Sequence, residues 1–442
     1  MLIYIFFKKK IKFKRCIIYF LLFVILNLII LNQYLNKLVI DEKPHNISFN
    51  YDQHSSCYLA IITNWSPAYI KPNPKDYINQ FSRNLAYSIN TNKIFNQNNC
   101  SFHIYSIKHY SRYQEHDYYA SFVTPIYLND QPFSIGIQKL SKVIESNNYT
   151  SVLIHHHYDV APNKWQLFYL ANNLPLHIKV YFVLHSLPTY PDVEYLGIIR
   201  QIAVRATNLI VLTWYSYYSL IHGYGIDKQK LMYIPHGVPL HDKSNNKLLN
   251  YNNFFHNLTK NDKVIISSSG LIKSNVEFYR LIRNFNRIQK EIPNLVYLIV
   301  GKELDESEPM KNVLKDIEKL NLTGKVIWLD EILDYKELTS LFSIGTAFLS
   351  LNDNDENNEI ITNLLYAMQH GIPIISTPTR FSTEILTNNR GLIVPFENDT
   401  LFTNLVIDFL TNKSLRKIYA TNSKEYTKNI SWDNISGKKI TF

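Results

Sequence analysis

The chain has 442 residues, of which 46% are hydrophobic and 19% charged, so it is long enough for two domains with separate cores. This composition excludes an intrinsically disordered chain. The formal net charge is +10. Six of the positive charges lie within eight residues near the start of the chain, at Lys8, Lys9, Lys10, Lys12, Lys14 and Arg15. Because the remainder is only mildly basic and has no motif that reads nucleic acid, we expect no nucleic-acid partner.

The segment after this basic cluster predicts a membrane anchor. Residues 16–35 contain no charged side chain and only three strongly polar ones. Twenty helical residues rise about 30 Å, which is the thickness of the hydrocarbon core of a bilayer. Since the basic cluster comes first, residues 1–15 are expected in the cytoplasm and the rest of the chain in the lumen of the endoplasmic reticulum or Golgi. The sequence thus predicts a single-pass type II signal anchor, followed by a polar stem over residues 36–53.

A cleaved signal peptide is the alternative interpretation of this segment. The apolar region is long, and no small-residue cleavage site follows it, which favours the anchor. N-terminal sequencing of the mature chain distinguishes the two. A luminal location suits the many Asn-x-Ser/Thr sequons of a glycoprotein. Cys57 and Cys100 can form a disulfide in such a compartment, although their spacing alone leaves the pairing open.

From residue 54 onward, short apolar runs alternate with helical stripes. One such stripe, formed by Tyr77, Phe81, Leu85 and Ile89, predicts an amphipathic helix. The apolar runs predict strands at residues 58–62, 102–105, 152–154, 180–184, 209–212 and 231–234. Strands that alternate with helices at this spacing are typical of βαβ units in a parallel sheet. The sequence therefore predicts a Rossmann-like domain over residues 54–241.

A polar linker, residues 242–261, precedes a second alternation of the same kind. Strands are predicted at residues 264–266, 295–300, 326–329, 347–351, 372–376 and 392–394. Residues 262–442 thus form a second Rossmann-like domain that ends in helices. Two doubly wound parallel sheets joined by one linker create a cleft lined by the carboxyl ends of both sets of strands. We expect a two-substrate site in this cleft.

The second predicted domain carries a series of motifs. In chain order they are Tyr366-Ala367-Met368, Gly371, Pro373–Pro378, Glu384–Leu386 and Arg390–Phe396. This series resembles the donor-binding segment of glycosyltransferase family 4, the glycosyl transferases group 1, which are retaining enzymes with the GT-B fold. Two further stretches, Tyr224–Ile226 and Ile234–Pro239, resemble the family's junction between its two domains. At this junction we expect Gly237 to supply a turn that only glycine allows.

The resemblance implies a nucleotide-sugar donor, held mainly by the second domain, and a glycan or other hydroxyl acceptor in the first. It implies no metal and no other cofactor. The donor diphosphate is expected at a loop that contains Gly270 and Lys273, and at the backbone amides near Glu359, where a helix begins. A fixed cation there stabilises the negative charge that the leaving diphosphate gains. Tyr366 and Glu384 are candidate contacts of the nucleoside or the sugar.

Histidines of the first domain complete the candidate site. His185 follows the predicted strand 180–184 and resembles the family's histidine near the donor sugar, so it is the candidate catalytic residue. The alternative is a structural histidine that caps the strand. Within the run His155–His157, His156 best fits a second family histidine and is a candidate donor contact. A metal site built from this run is disfavoured, because consecutive residues of an extended segment point to alternate sides.

Other positions depart from the family pattern. Asn358 and Tyr366 stand where many members carry two glutamates, and Thr63–Pro67, after the first strand, contains no glycine. These departures motivate a second hypothesis, a catalytically degenerate GT-B module that binds a glycan or a partner enzyme. The favoured interpretation is a membrane-anchored retaining glycosyltransferase, a hexosyltransferase that depends on a nucleotide sugar.

Overall fold

Some of the predicted segments lie outside the residues that the structure describes. The computed structural model describes residues 57–63, 100–109, 123–128, 135–157, 164–239, 258, 263–272, 275–303, 309–331, 333, 335–351, 361–395 and 397–438. The predicted basic segment, anchor and stem, residues 1–53, lie outside these ranges, and so does the helix predicted from Tyr77 to Ile89. Across the ranges given above, no helix combines the length and the apolar character that crossing a bilayer requires.

The first half of the described chain forms a parallel sheet. Its seven described strands have the order β3-β2-β1-β4-β5-β6-β7. These strands are β1 (Cys57–Thr63), β2 (Cys100–His109), β3 (Val123–Leu128), β4 (Ser151–His156), β5 (Lys179–Leu184), β6 (Asn208–Val211) and β7 (Leu231–Tyr233). Every residue of β4 is buried, as expected of a central parallel strand that is covered on both faces.

Helices cover one face of this sheet. They are α1 (Ile135–Ser146), α2 (Lys164–Asn173), α3 (Val193–Arg205) and α4 (Trp214–His222), and a 3₁₀ turn follows at Lys228–Lys230. Side-chain caps fix where two of them begin. Asp192 accepts the backbone N–H of Tyr195 at 2.6 Å at the start of α3, and Thr213 accepts that of Ser216 at 3.0 Å at the start of α4.

The second half contains another parallel sheet. Its six described strands have the order β10-β9-β8-β11-β12-β13. These are β8 (Val264–Ile272), β9 (Leu295–Glu303), β10 (Val326–Leu329), β11 (Ala347–Ser350), β12 (Ile374–Ser376) and β13 (Leu392–Ile393). The helices are α5 (Asn275–Glu291), α6 (Pro309–Lys319), α7 (Tyr335–Ile344), α8 (Thr362–His370), α9 (Arg380–Ile385), α10 (Asp399–Thr411), α11 (Lys413–Asn429) and α12 (Trp432–Lys438).

The predicted strands are confirmed, with shifted ends. The first strand of the second half extends to Ile272 instead of residue 266, and β12 begins at Ile374 instead of residue 372. The strand Val123–Leu128 was not predicted. It lies at the edge of the described sheet, and Thr124 and Pro125 interrupt its apolar run.

The register of β1 and β2 pairs Cys57 with Cys100, so their backbones are direct neighbours at about the 4.8 Å spacing of strands. Their disulfide stays a prediction.

The end of the chain returns to the first half. Val238 donates its backbone N–H to the carbonyl of Ile430 at 3.0 Å, and Trp432 donates to the carbonyl of Val238 at 2.9 Å. A Cβ atom on Gly237 would lie 2.4 Å from Cδ2 of the Trp432 ring. Gly237 does not have a positive φ, so the predicted glycine-only turn was wrong. Glycine is required here because the indole packs directly on the backbone.

Candidate functional site

Five histidines lie near the carboxyl edge of the first sheet. His155 and His156 end β4, His157 follows them, His185 follows β5, and His236 lies beyond β7. All five side chains are buried, with at most 5% of their surface exposed. In the parallel register, His155 lies beside Val183 and His156 beside Leu184. The sheet therefore brings together polar groups that are far apart in the sequence.

His155 is the hydrogen-bonding partner of His185. Nδ1 of His155 lies 2.9 Å from Nε2 of His185, and the two rings stack with their centroids 5.2 Å apart. The backbone N–H of His185 donates to the carbonyl of His156 at 2.8 Å. Since one ring nitrogen must donate and the other accept, the tautomers of the two rings are coupled. This contact fixes the orientation of His185.

Burial keeps His155, His185 and His236 neutral. Desolvation lowers the pKa of His155 to about 3 and that of His236 to about 4, the latter despite a hydrogen bond to the carbonyl of Gly237 that acts in the opposite direction. The pKa of His185 is well below its ordinary value, because of burial first and of the neighbouring histidines second. A charged imidazolium has too little water around it here. At neutral pH, His185 can therefore only donate or accept hydrogen bonds.

The predicted donor contact His156 lies on the other side of its strand. Its Nε2 is 3.0 Å from the hydroxyl of Tyr195 on α3, and its side chain is 1% exposed. The structure does not bring His156 beside the ring of His185, a place that His155 takes. The register of β4 and β5 accounts for this arrangement, because His155 and Val183 share one face of the two paired strands, and His185 follows Val183 by two residues.

The histidines do not form a metal centre. Within the described ranges, no three His, Cys, Asp or Glu side chains approach one another closely enough to hold an ion. The alternation of His155 and His156 across the strand explains why the run of three does not converge. The histidine cluster thus supplies hydrogen-bonding groups to its surroundings.

Gly270 and the start of α8 lie together in the second half. Gly270 is near the end of β8 with φ of +142°, a conformation that side chains rarely adopt. Asn363, in the first turn of α8, donates its side-chain amide to the carbonyl and to Oγ of Ser269, both at 3.2 Å. The N-cap of α8 is the aliphatic Ile361, which supplies no side-chain cap. The backbone amides of Leu364 and Leu365 already donate to the carbonyl of Ile361, so the amides of Thr362 and Asn363 are the ones suited to an anion.

Two residues predicted to hold the diphosphate, Lys273 and Glu359, lie outside the described residues. Their roles stay predictions. Tyr366 is described and is only 1% exposed. Helix α8 is buried along nearly its whole length, from Leu364 to Gln369, and it packs on α11. Tyr366 accordingly lies in the core of the second half, and its contact with a nucleoside or sugar stays a prediction.

Glu384 contacts the first half of the chain. Its Oε1 accepts the backbone N–H of Trp214 at 3.0 Å, and its Oε2 accepts that of Tyr215 at 3.3 Å. Burial raises the pKa of Glu384, and these two N–H groups act in the opposite direction. The sequence predicted a ligand contact here, whereas the carboxylate in this structure caps a helix of the other half.

Two parallel α/β sheets, each with candidate groups at its carboxyl edge, are consistent with the GT-B fold. Residues 251–426 match the family model described as Glycosyl transferases group 1. This match over part of the chain supports a glycosyltransferase. No curated protein matches the chain.

Solved structures share the fold at low sequence identity. A glycosyltransferase from Rickettsia africae is 15% identical with a TM-score of 0.65, and the alignment covers 87% of this chain and 96% of that one. Sucrose-phosphate synthase from Thermosynechococcus elongatus is 14% identical with a TM-score of 0.62, over 86% and 96% of the two chains. Anabaena HepE in complex with UDP and glucose is 12% identical with a TM-score of 0.61, over 86% and 97%.

Proposed function

We propose that the protein is a membrane-anchored, retaining glycosyltransferase that transfers a sugar from a nucleotide-sugar donor to a hydroxyl of a glycan or another acceptor. The observation that carries this proposal is the set of groups at the carboxyl edges of the two sheets. The first edge presents the neutral His155–His185 pair, and the second presents Gly270 beside the start of α8. These are groups suited to a sugar and to a diphosphate, respectively.

The donor diphosphate binds, in this proposal, at Gly270 and the first turn of α8. The leaving group gains negative charge as the bond between the anomeric carbon and the phosphate oxygen breaks. Backbone amides aimed at that charge, together with Lys273, stabilise it without reorganising. Because HepE was solved with UDP and glucose, uridine diphosphate sugars are the first donors to test.

The acceptor hydroxyl attacks the anomeric carbon from the face that the diphosphate leaves, which retains the anomeric configuration. The departing phosphate oxygen takes the proton of that hydroxyl. His185 contributes as a neutral hydrogen-bonding partner of the donor sugar, since burial lowers the pKa of its ring.

Membrane attachment is assigned to residues 16–35, and N-terminal sequencing that finds this segment removed would refute the anchor.

Turnover of the full-length chain, purified in a mild detergent, tests the function. We expect release of nucleoside diphosphate from one member of a panel of nucleotide sugars, together with calorimetric binding of the same donor. His185→Ala should lower that turnover at least about tenfold, because it removes the ring that contacts the sugar. His222→Ala, at an exposed position of α4, is the matched control. A folded chain that neither binds nor turns over any donor would favour the noncatalytic GT-B module.

Gly270→Ala tests the donor half separately. We expect donor affinity to fall about tenfold, because alanine at φ of +142° displaces the backbone beside the diphosphate. Gly324→Ala is the control, since Gly324 also has a positive φ, of +78°, and an added Cβ has no neighbour within 4 Å. Both variants should lose about 1 to 2 kcal/mol of unfolding free energy. Equal donor affinity in the two variants would contradict the assignment of Gly270.

A further inference from the structure

The first turn of α4 is capped from the other half of the chain. The first backbone N–H groups of a helix have no partner inside the helix. In α4, Ser216 and Tyr217 donate to the side chain and the carbonyl of Thr213, respectively. Trp214 and Tyr215 donate to the Glu384 carboxylate instead. A negative charge at this end of the helix also interacts favourably with the helix dipole.

A second contact reaches the segment that carries His185. The Arg380 guanidinium lies over the ring of Tyr215, 4.3 Å from its centroid, and it donates to the hydroxyl of Thr189. Thr189 follows His185 by four residues, in the loop after β5. The hydroxyl of Tyr224 also bonds to this loop, by donating to the carbonyl of Pro188 at 2.8 Å. Arg380 thus connects the second half to the His185 loop.

Helix α9, which carries Arg380 and Glu384, is bonded to the carboxyl edge of the second sheet. Helix α9 begins four residues after the end of β12, at a capping box in which Thr379 and Ser382 exchange hydrogen bonds. Ser382 also donates its hydroxyl to the carbonyl of Thr377 at 2.8 Å. These bonds make α9 continuous with the carboxyl edge of the second sheet. A shift of that edge therefore moves Glu384 and Arg380 with it.

We propose that Glu384 and Arg380 form an interdomain clamp that positions the His185 loop against the donor-binding half. The clamp is polar, so water can satisfy its groups when the cleft opens, at little net cost. The contact between Gly237 and Trp432 is apolar and closely packed, which suits a permanent hinge. The junction at Gly237 and Trp432 thus stays closed, while the clamp at Glu384 and Arg380 opens to release substrates and products.

Hydrogen exchange measures the clamp directly. In Glu384→Ala, the amides of Trp214 and Tyr215 should exchange at least about tenfold faster, because no acceptor inside the helix replaces the carboxylate. Arg380→Ala should accelerate exchange in the loop from Ser186 to Thr189. The matched control is Glu425→Ala, which removes an exposed carboxylate of α11 that pairs with Lys428. Unchanged exchange at Trp214 and Tyr215 in Glu384→Ala would overturn the clamp.

Kinetics separate positioning from simple packing, and this part rests on the proposed transferase function. In Glu384→Ala, donor affinity should change by less than about twofold, because the donor is held by the second half. The kcat of the same variant should fall about tenfold. Glu384→Gln, which keeps one acceptor oxygen, should recover part of kcat. Faster exchange with an unchanged kcat would overturn the positioning role. In a chain without transferase activity, the exchange of Ser186–Thr189 in Arg380→Ala still decides whether the clamp holds the loop.

Discussion

Acidification from pH 7.5 to pH 5.0 is expected to lower the free energy of unfolding by about 4 kcal/mol, through His155 and His236 alone. Both rings are buried, and their pKa values are about 3 and about 4 in the folded chain, against 6.5 as the ordinary value. Each ring lowers the free energy of unfolding by about 2 kcal/mol at pH 5.0, because it is protonated in the unfolded chain and neutral in the folded one. This is a large share of the 5 to 15 kcal/mol typical of a domain.

The sign follows from which state binds more protons. Below pH 6.5 the unfolded chain takes up protons that the folded chain excludes, so stability is complete above that pH and falls as the pH decreases toward 4. His185 acts in the same direction, since its pKa is also lowered by burial. The loss should therefore begin in the range in which free imidazole titrates.

Urea titrations at pH 7.5, 6.0 and 5.0 measure this loss. His155→Asn keeps a hydrogen-bonding group where Nδ1 of His155 meets His185 and removes the titration. The difference between pH 7.5 and pH 5.0 should shrink by about 2 kcal/mol in this variant. His222→Asn, on the exposed face of α4, serves as the control substitution. Equal pH dependence of the wild-type chain and His155→Asn would show that His155 does not contribute.

The sheets could be predicted because their sequence pattern is local. Strands such as Val180–Leu184 and Val326–Leu329 are short apolar runs between polar segments, and they were predicted to within one residue. The resemblance to a known family correctly indicated a GT-B glycosyltransferase. The limits of each element were less accurate, since β8 continues through three serines to Ile272.

The site could be predicted only in part, because its contacts are not local. His185 was found from its motif, but its partner His155 depends on which face of β4 and β5 each ring occupies. The motif that contains Tyr366 did not indicate that α8 is buried from Leu364 to Gln369. The contact of Glu384 with α4 joins residues 170 and 169 positions apart, which no periodicity in one sequence reveals.

Replacement of Gly237 by alanine is expected to lower the free energy of unfolding by about 3 kcal/mol. The added methyl group would meet three atoms of the Trp432 ring at 2.4 to 2.6 Å. That ring cannot move away easily, because Trp432 is 3% exposed, its backbone is bonded to Val238, and its ring packs against His236 with centroids 5.7 Å apart. The strain would therefore separate α12 from the first half at the junction that we infer to be the hinge.

A double-mutant cycle assigns this loss to the indole. Trp432→Leu alone should cost about 3 kcal/mol through lost contacts and a cavity. The double variant Gly237→Ala/Trp432→Leu should cost at least about 2 kcal/mol less than the sum of the single changes, because the smaller side chain admits the methyl group. Gly197→Ala is the control, since Gly197 lies in α3 with no atom within 4 Å of an added Cβ, and it should raise stability by about 0.5 to 1 kcal/mol. Additive losses at Gly237 and Trp432 would mean that the close approach of backbone and indole does not set the requirement for glycine.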